Sequence, residues 1–279
     1  MSDVLRTVGC PEKGNVLIEH VDFGKTLIEA AVSVGTRVVD SRVPEQKFLV
    51  VNGIRLHYLD WGGEGLPWML CLHGGAQNAH MWDFTALAFC DRFRVLALDQ
   101  RGHGDSHWAT NGDYSTDAHQ KDIAEFVELM GLTEITLVGL SMGGSNAYVY
   151  AAAHPSLVRS LVVIDIGPET LPQGRDRIQQ FVSQEDIMDS FGAFVERTKR
   201  FDPNRPEWQI RGSLRYALRE LPDGRWTWKY DRLILNPANR GNNRPANRTD
   251  AQWAVWDRIA CPTLIVRGAN SDVLGQDAA

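Results

Sequence analysis

Five short apolar runs recur along the chain: PWMLCL (67–72), FRVLAL (93–98), ITLVGL (135–140), SLVVID (160–165) and PTLIVR (262–267). Each is too short for a typical helix and apolar on consecutive rather than alternate residues. A strand of that kind must be covered on both faces, which is the situation in a parallel sheet. Helix-length segments separate the first four runs, such as STDAHQKDIAEFVELMG (115–131) with apolar residues at helical spacing. The alternation predicts an α/β chain with a doubly wound, mostly parallel sheet. Ahead of it, two β-rich runs flank Asn52-Gly53, a hairpin signal. Further upstream, KTLIEAAVSVGTRVVD (25–40) could form a short amphipathic helix.

The run at 135–140 leads straight into a serine turn. Gly139-Leu140-Ser141-Met142-Gly143 fits G-x-S-x-G, in which the serine stands between a strand and a helix. A strained backbone there lifts the hydroxyl above the sheet edge. Side chains at 139 and 143 would collide where strand and helix approach. The positive end of the following helix favours negative charge developing nearby. Ser141 is therefore the expected nucleophile, with Gly139 and Gly143 as its elbow. A His-Gly-Gly turn (73–75) follows the run at 67–72. The backbone amides of Gly75 and Met142 are the candidate oxyanion donors, preorganised for the charge of a tetrahedral intermediate. The His73 ring is expected to brace its loop. His80 is a possible pocket residue or a surface histidine at a helix start.

Taken together, HGG (73–75), LDQRGHGDS (98–106), GLSMGG (139–144), LVVIDIGPE (161–169) and CPTLIVRGANSDVL (261–274) resemble the α/β-hydrolase family over residues 46–279. The resemblance implies a sheet of the α/β-hydrolase type with a mainly helical lid inserted. Residues 1–45 would be an N-terminal extension, 46–167 the first part of the core, 168–250 the lid and 251–279 the second part of the core. It also implies an acid after the last apolar run, Asp272, with Asp165 as the alternative acid. Asp99 and His103 match a structural turn of the family.

The family order is serine, acid, histidine, and no histidine follows Asp272. His154 ends the helix that Ser141 begins. At about 1.5 Å per residue it stands roughly 20 Å away, far beyond the roughly 3 Å that a base requires. His103 or His80 could approach from neighbouring loops, without the family's geometry. The expectation is a C-terminally truncated hydrolase, lacking the last strand and helix and the triad histidine, with a bare sheet edge prone to pairing.

Composition narrows the remaining classes. A net charge of −6 and a pI near 5.8 argue against nucleic acid. No run reaches the length of a membrane span, and the N-terminus lacks the features of a secretory signal, so a cytoplasmic protein is expected. Cys10, Cys71, Cys90 and Cys261 lie far apart, so no metal and no cofactor is implied. Cys71 and Cys261 are expected as buried free thiols. Residues 171–250 hold fifteen Lys and Arg against eleven Asp and Glu, unlike the acidic remainder. The expected function is a serine hydrolase acting on a carboxylic ester or related acyl compound. Lactonase, C–C bond hydrolase and cofactor-free perhydrolase chemistry belong to the same fold. A non-catalytic protein binding a small molecule or partner is the alternative. Trp208, Trp226 and Trp228 would suit an apolar acyl substrate, or simply pack.

Overall fold

The computed structural model describes residues 25–39, 41–236, 239 and 248–279. Its seven-stranded sheet is built from β1 (Glu45–Val51), β2 (Ile54–Asp60), β3 (Trp68–Leu72), β4 (Arg94–Leu98), β5 (Ile135–Leu140), β6 (Val158–Ile164) and β10 (Thr263–Val266). The strand order is β1-β2-β4-β3-β5-β6-β10. The β1–β2 and β2–β4 pairs are antiparallel, and every other neighbour is parallel. All five apolar runs of the sequence are strands. The β1–β2 hairpin turns on Asn52 (φ 47°) and Gly53 (φ 74°), the two positive φ values that a type I′ turn demands.

Two apolar layers cover the sheet. On one face α3 (Thr116–Leu129) and α4 (Met142–Ala153) pack Ile123, Phe126, Tyr148 and Tyr150 against Leu70, Leu96 and Leu137. Ser115 caps α3 by accepting a hydrogen bond from the Ala118 amide. On the other face α1 (Leu27–Ser33) and α2 (Asp83–Phe89) bring Ala31, Ala86 and Leu87 onto Leu59, Met69 and Val95. α1 opens with a reciprocal capping box between Thr26 and Glu29, which explains why so short a segment is helical. Cys71 is buried in this layer, and burial pushes its thiol pKa up; Cys261 is only half-buried. Residues 1–24 lie outside the described ones.

Between β6 and β10 run α5 (Pro172–Val182), α6 (Phe191–Phe201), α7 (Glu207–Ala217) and α8 (Arg248–Trp256). A second sheet stands among them, three antiparallel strands in the order β7 (Ile187–Met188), β9 (Trp226–Trp228), β8 (Leu218–Glu220). The helical reading of SLRYALREL (213–221) overruns here, because the helix stops at Ala217 and Leu218–Glu220 pair with β9. Trp226 and Trp228 fill a third apolar cluster with Phe191, Phe194 and Leu214. They pack, as the alternative reading of these tryptophans allowed, and Trp228, like Trp208, also lines the cavity over the sheet. Most of NPANRGNNRPANRT (236–249) lies outside the described residues. Among the described residues no helix is long and apolar enough to cross a membrane.

Candidate active site

Strand order reverses at β3, with β4 on one side and β5 on the other. The carboxyl end of such a switch point is where an α/β sheet leaves a crevice. Leu72 of β3 is in register with Gly139 of β5, so the loops that follow the two strands emerge side by side. One carries His73-Gly74-Gly75; the other carries Ser141.

Ser141 has φ 49° and ψ −116°, a conformation rarely adopted by residues with a side chain. What holds it is close packing around the two glycines. A Cβ on Gly139 would overlap the Gly143 carbonyl, and a Cβ on Gly143 would overlap the Leu72 carbonyl. The Ser141 amide donates to the Ile164 carbonyl at 3.0 Å, tying the turn to β6. The side chain makes no capping bond to its own helix.

Gly75 is the immediate neighbour of the turn. A Cβ built on it would lie 3.9 Å from both Cβ and Sδ of Met142. The loop keeps its shape through Gln77, whose Oε1 accepts from the Gly74 amide at 3.0 Å. The His73 ring braces it from below, with Nδ1 on the Gly74 carbonyl at 2.7 Å and Nε2 accepting from the Gln100 amide at 3.0 Å. Since Nε2 accepts, Nδ1 carries the proton, and burial lowers the ring's pKa. Gln100 continues the brace to the His73 carbonyl and to Asn146 of α4.

The turn after β4 is a buried hydrogen-bond hub. Asp99 accepts from the Ala79 amide at 2.6 Å, from the Asp105 amide at 2.8 Å and from His57 Nδ1 at 2.7 Å. Burial opposes its ionisation, but these partners outweigh burial and hold the carboxyl well below its usual range. His57, Asp99 and Asp105 together bring three ligand-type atoms within 4.8 Å of one another. His57 Nδ1 and both carboxylates are engaged, Asp105 through a salt bridge to Lys229 at 2.8 Å, while His57 Nε2 is buried without a partner. His103 is buried with Nδ1 on the Arg101 carbonyl at 2.9 Å, and burial drives its pKa well down.

A cavity of about 1840 Å³ opens above Ser141, and Gly75, Met142, His80, Asp165 and Asp272 all line it. Asp165 is the residue after Ile164, whose carbonyl holds the Ser141 amide. It has φ 54°, and its Oδ1 is buried without a hydrogen-bond partner. Asp272 is differently placed. Both its oxygens meet Arg177 of α5, with Nε–Oδ2 at 2.8 Å and Nη2–Oδ1 at 3.3 Å. His80 also stands on the wall, with Nδ1 3.0 Å from Asp83 Oδ2 and its ring stacked on Tyr216 of α7 at 3.5 Å. Burial raises the pKa of Asp83. His119 reaches the cavity from α3, neutral because burial, then Arg101, lowers its pKa to about 3. His154 caps the far end of α4 and stacks on Tyr150.

A family model described as the alpha/beta hydrolase fold matches residues 67–279. The chain belongs to the α/β-hydrolase family. It is 31% identical over 248 residues to esterase Rv0045c of Mycobacterium tuberculosis, covering 86% of this chain and 78% of that protein. It is 29% identical over 213 residues to 2-(acetamidomethylene)succinate hydrolase of Mesorhizobium japonicum, covering 76% and 74%. Among solved structures, an α/β hydrolase from Novosphingobium aromaticivorans superposes with a TM-score of 0.76 at 26% identity, covering 86% of each chain. The crystal structure of esterase Rv0045c gives 0.71 at 28% identity, covering 93% of this chain and 84% of that one.

The partners that sequence reading missed are Arg177, Asp83 and Tyr216. Asp83 follows His80 by three residues, a spacing that could have suggested the pair. Arg177 and Tyr216 carry no local signal, because tertiary packing alone brings α5 and α7 over the sheet.

Proposed function

We propose that this hydrolase is a serine hydrolase of carboxylic esters or related acyl compounds, with residues 168–250 acting as a lid. The observation that carries the reading is the strained Ser141 backbone, held at a switch-point crevice beside the Gly75 loop. That strain costs on the order of 1–3 kcal/mol and persists where the surrounding structure over-determines it. In the proposed reaction Ser141 Oγ attacks the acyl carbonyl, and the Gly75 and Met142 amides receive the oxyanion. The alcohol leaves with a proton, and water then releases the acyl group from the serine. Asp272 is the proposed orienting acid. Asp165 is a second reading, favoured by its buried, unpartnered Oδ1 and its place after Ile164, whose carbonyl holds the Ser141 amide. Two relatives named esterase and hydrolase support acyl hydrolysis as the chemistry.

Among the described residues, the bonded histidine rings lie on Asp99, Gly74, Asp83 and Arg101, and none lies on Ser141. The test therefore supplies the base. Release of p-nitrophenol from a short acyl ester is followed with and without imidazole, for the wild type and Ser141→Ala. An imidazole-stimulated rate that Ser141→Ala removes supports the reading. Equal rates for the two proteins, with and without imidazole, would overturn it in favour of a binding protein.

A further inference from the structure

α7 turns more than its apolar face to the cavity. Ile210 is buried in the tryptophan cluster, and Leu214 borders both that cluster and the cavity. Trp208, Gly212 and Tyr216, four residues apart, line the cavity, as do Arg205, Gln209 and Ser213. Two adjacent stripes of α7 thus face the space above Ser141, one aromatic with a gap at Gly212 and one polar through Gln209 and Ser213, and Arg205 stands in the turn just before the helix.

Arg205 is the unusual member. Among the described residues its guanidinium makes one hydrogen bond, from Nη2 to the Gln209 carbonyl at 3.3 Å. No carboxylate among the described residues makes an ion pair with it, and Asp202 acts on it only from a distance. Burial lowers its pKa, so the charge is partly stripped of water without a counter-ion. By contrast Arg177, on the same wall, is occupied by Asp272. A desolvated planar fork facing a cavity is a site for an anion that can take two parallel hydrogen bonds. The two oxygens of a carboxylate meet such a fork in its plane, and Arg175 and Lys25 also border the cavity, Lys25 with its Nζ 4.6 Å over the Trp208 ring.

We infer that Arg205 binds a free carboxylate on the acyl substrate, which makes the preferred substrate a half-ester of a dicarboxylic acid. The ester end lies at Ser141, the carboxylate at Arg205, and a long connecting chain lies along Trp208 and Tyr216, eight residues and so about 12 Å apart on α7. Gly212 leaves room for it: a Cβ there would meet nothing within 4 Å. This replaces the purely apolar acyl compound expected from the tryptophans. It rests on the hydrolase reading only for the position of the ester.

Binding and turnover are therefore measured separately. In Ser141→Ala, which cannot form an acyl-enzyme, calorimetry compares monomethyl sebacate with dimethyl sebacate. The monoanion is expected to bind at least about tenfold more tightly, the scale of one charge-assisted bidentate contact. Adding Arg205→Met should bring the two ligands to within about twofold, and Arg205→Lys should restore part of the preference. Gly212→Leu should weaken both ligands, because it fills the gap on the helix face without backbone strain. Equal binding of the two ligands to Ser141→Ala, or a preference that survives Arg205→Met, overturns the inference. So does stronger binding of methyl phosphate than of the monoanion. The imidazole-stimulated hydrolysis of the p-nitrophenyl half-ester of sebacate and of p-nitrophenyl decanoate provides the second arm. Hydrolysis of both without an Arg205-dependent preference sinks the carboxylate site alone. An Arg205-dependent binding preference with no Ser141-dependent hydrolysis sinks the hydrolase reading alone.

Discussion

The Arg177 guanidinium of α5 grips Asp272, in the loop after β10, through two contacts of 2.8 and 3.3 Å. This pair ties the segment between β6 and β10 to the sheet domain at the cavity wall. A second tie lies beside it, where the Gly174 amide donates to the Asp272 carbonyl at 2.9 Å. Asp272 thus has two roles open to it, a latch for α5 and an acid for catalysis.

Substitutions separate these roles. The ion pair is half exposed, so it contributes at most about 1 kcal/mol to stability. Arg177→Met should melt within a few degrees of the wild type in a calorimetric scan, roughly the shift that 1 kcal/mol gives in a domain this size. In the imidazole-rescued ester assay, Asp272→Asn should lower the rate by about tenfold or more, and Asp165→Asn by less than about threefold. The opposite order would transfer the acid role to Asp165, whose Oδ1 lies buried without a partner.

The elbow glycines are a matter of space. Ala at Gly139 or Gly143 would drive a methyl group into the backbone carbonyls of Gly143 or Leu72. Backbone cannot give way as a flexible side chain can. Either substitution should cost on the order of 2 kcal/mol or more, the scale of an overpacked core site. Urea unfolding measures it. A midpoint unchanged in Gly143→Ala would show that β3 and α4 are not packed as described.

Asp60 should make the fold sensitive to acid. Burial alone would raise its pKa, but Arg94 at 2.7 Å, Lys47 at 2.8 Å and the Gly62 amide at 2.9 Å outweigh it. The result is a pKa lowered to about 2. The unfolded chain holds this proton more tightly, so the stabilisation is complete above about pH 5 and fades as pH falls towards 2. It amounts to about 2 kcal/mol. Urea midpoints between pH 6 and pH 3 should fall, and Asp60→Asn should flatten that slope. An equally steep slope in Asp60→Asn would assign the acid sensitivity to other carboxylates.

β10 stands at the edge of the sheet among the described residues, and Leu264 and Val266 are 57% and 40% exposed. An apolar edge with free backbone groups favours strand pairing between molecules. Sedimentation should show association that rises with concentration and is suppressed by Leu264→Lys. A monomer at all concentrations would contradict this.

Much of this molecule was legible along the chain. Continuous apolar runs located all five predicted strands, since a strand covered on both faces admits few polar residues. The elbow at Gly139–Gly143 was legible because it is local: a strand, a tight turn and a helix within a few residues. Asn52-Gly53 named its hairpin for the same reason. What the sequence could not express was how separate segments meet across the cavity. Nothing near Asp272 foretells Arg177, ninety-five residues earlier, and nothing near His80 foretells the stacked ring of Tyr216. The polar wall at α7 was hidden as well, because Arg205 in the turn before it and Gln209 and Ser213 on it read as ordinary solvent-facing residues until the tertiary fold turns them inward. Local backbone sterics and hydrophobic periodicity are written in neighbouring residues, so the sequence alone determined the sheet and the serine turn. The walls of the cavity come from packing between distant segments, and only the tertiary structure decided them.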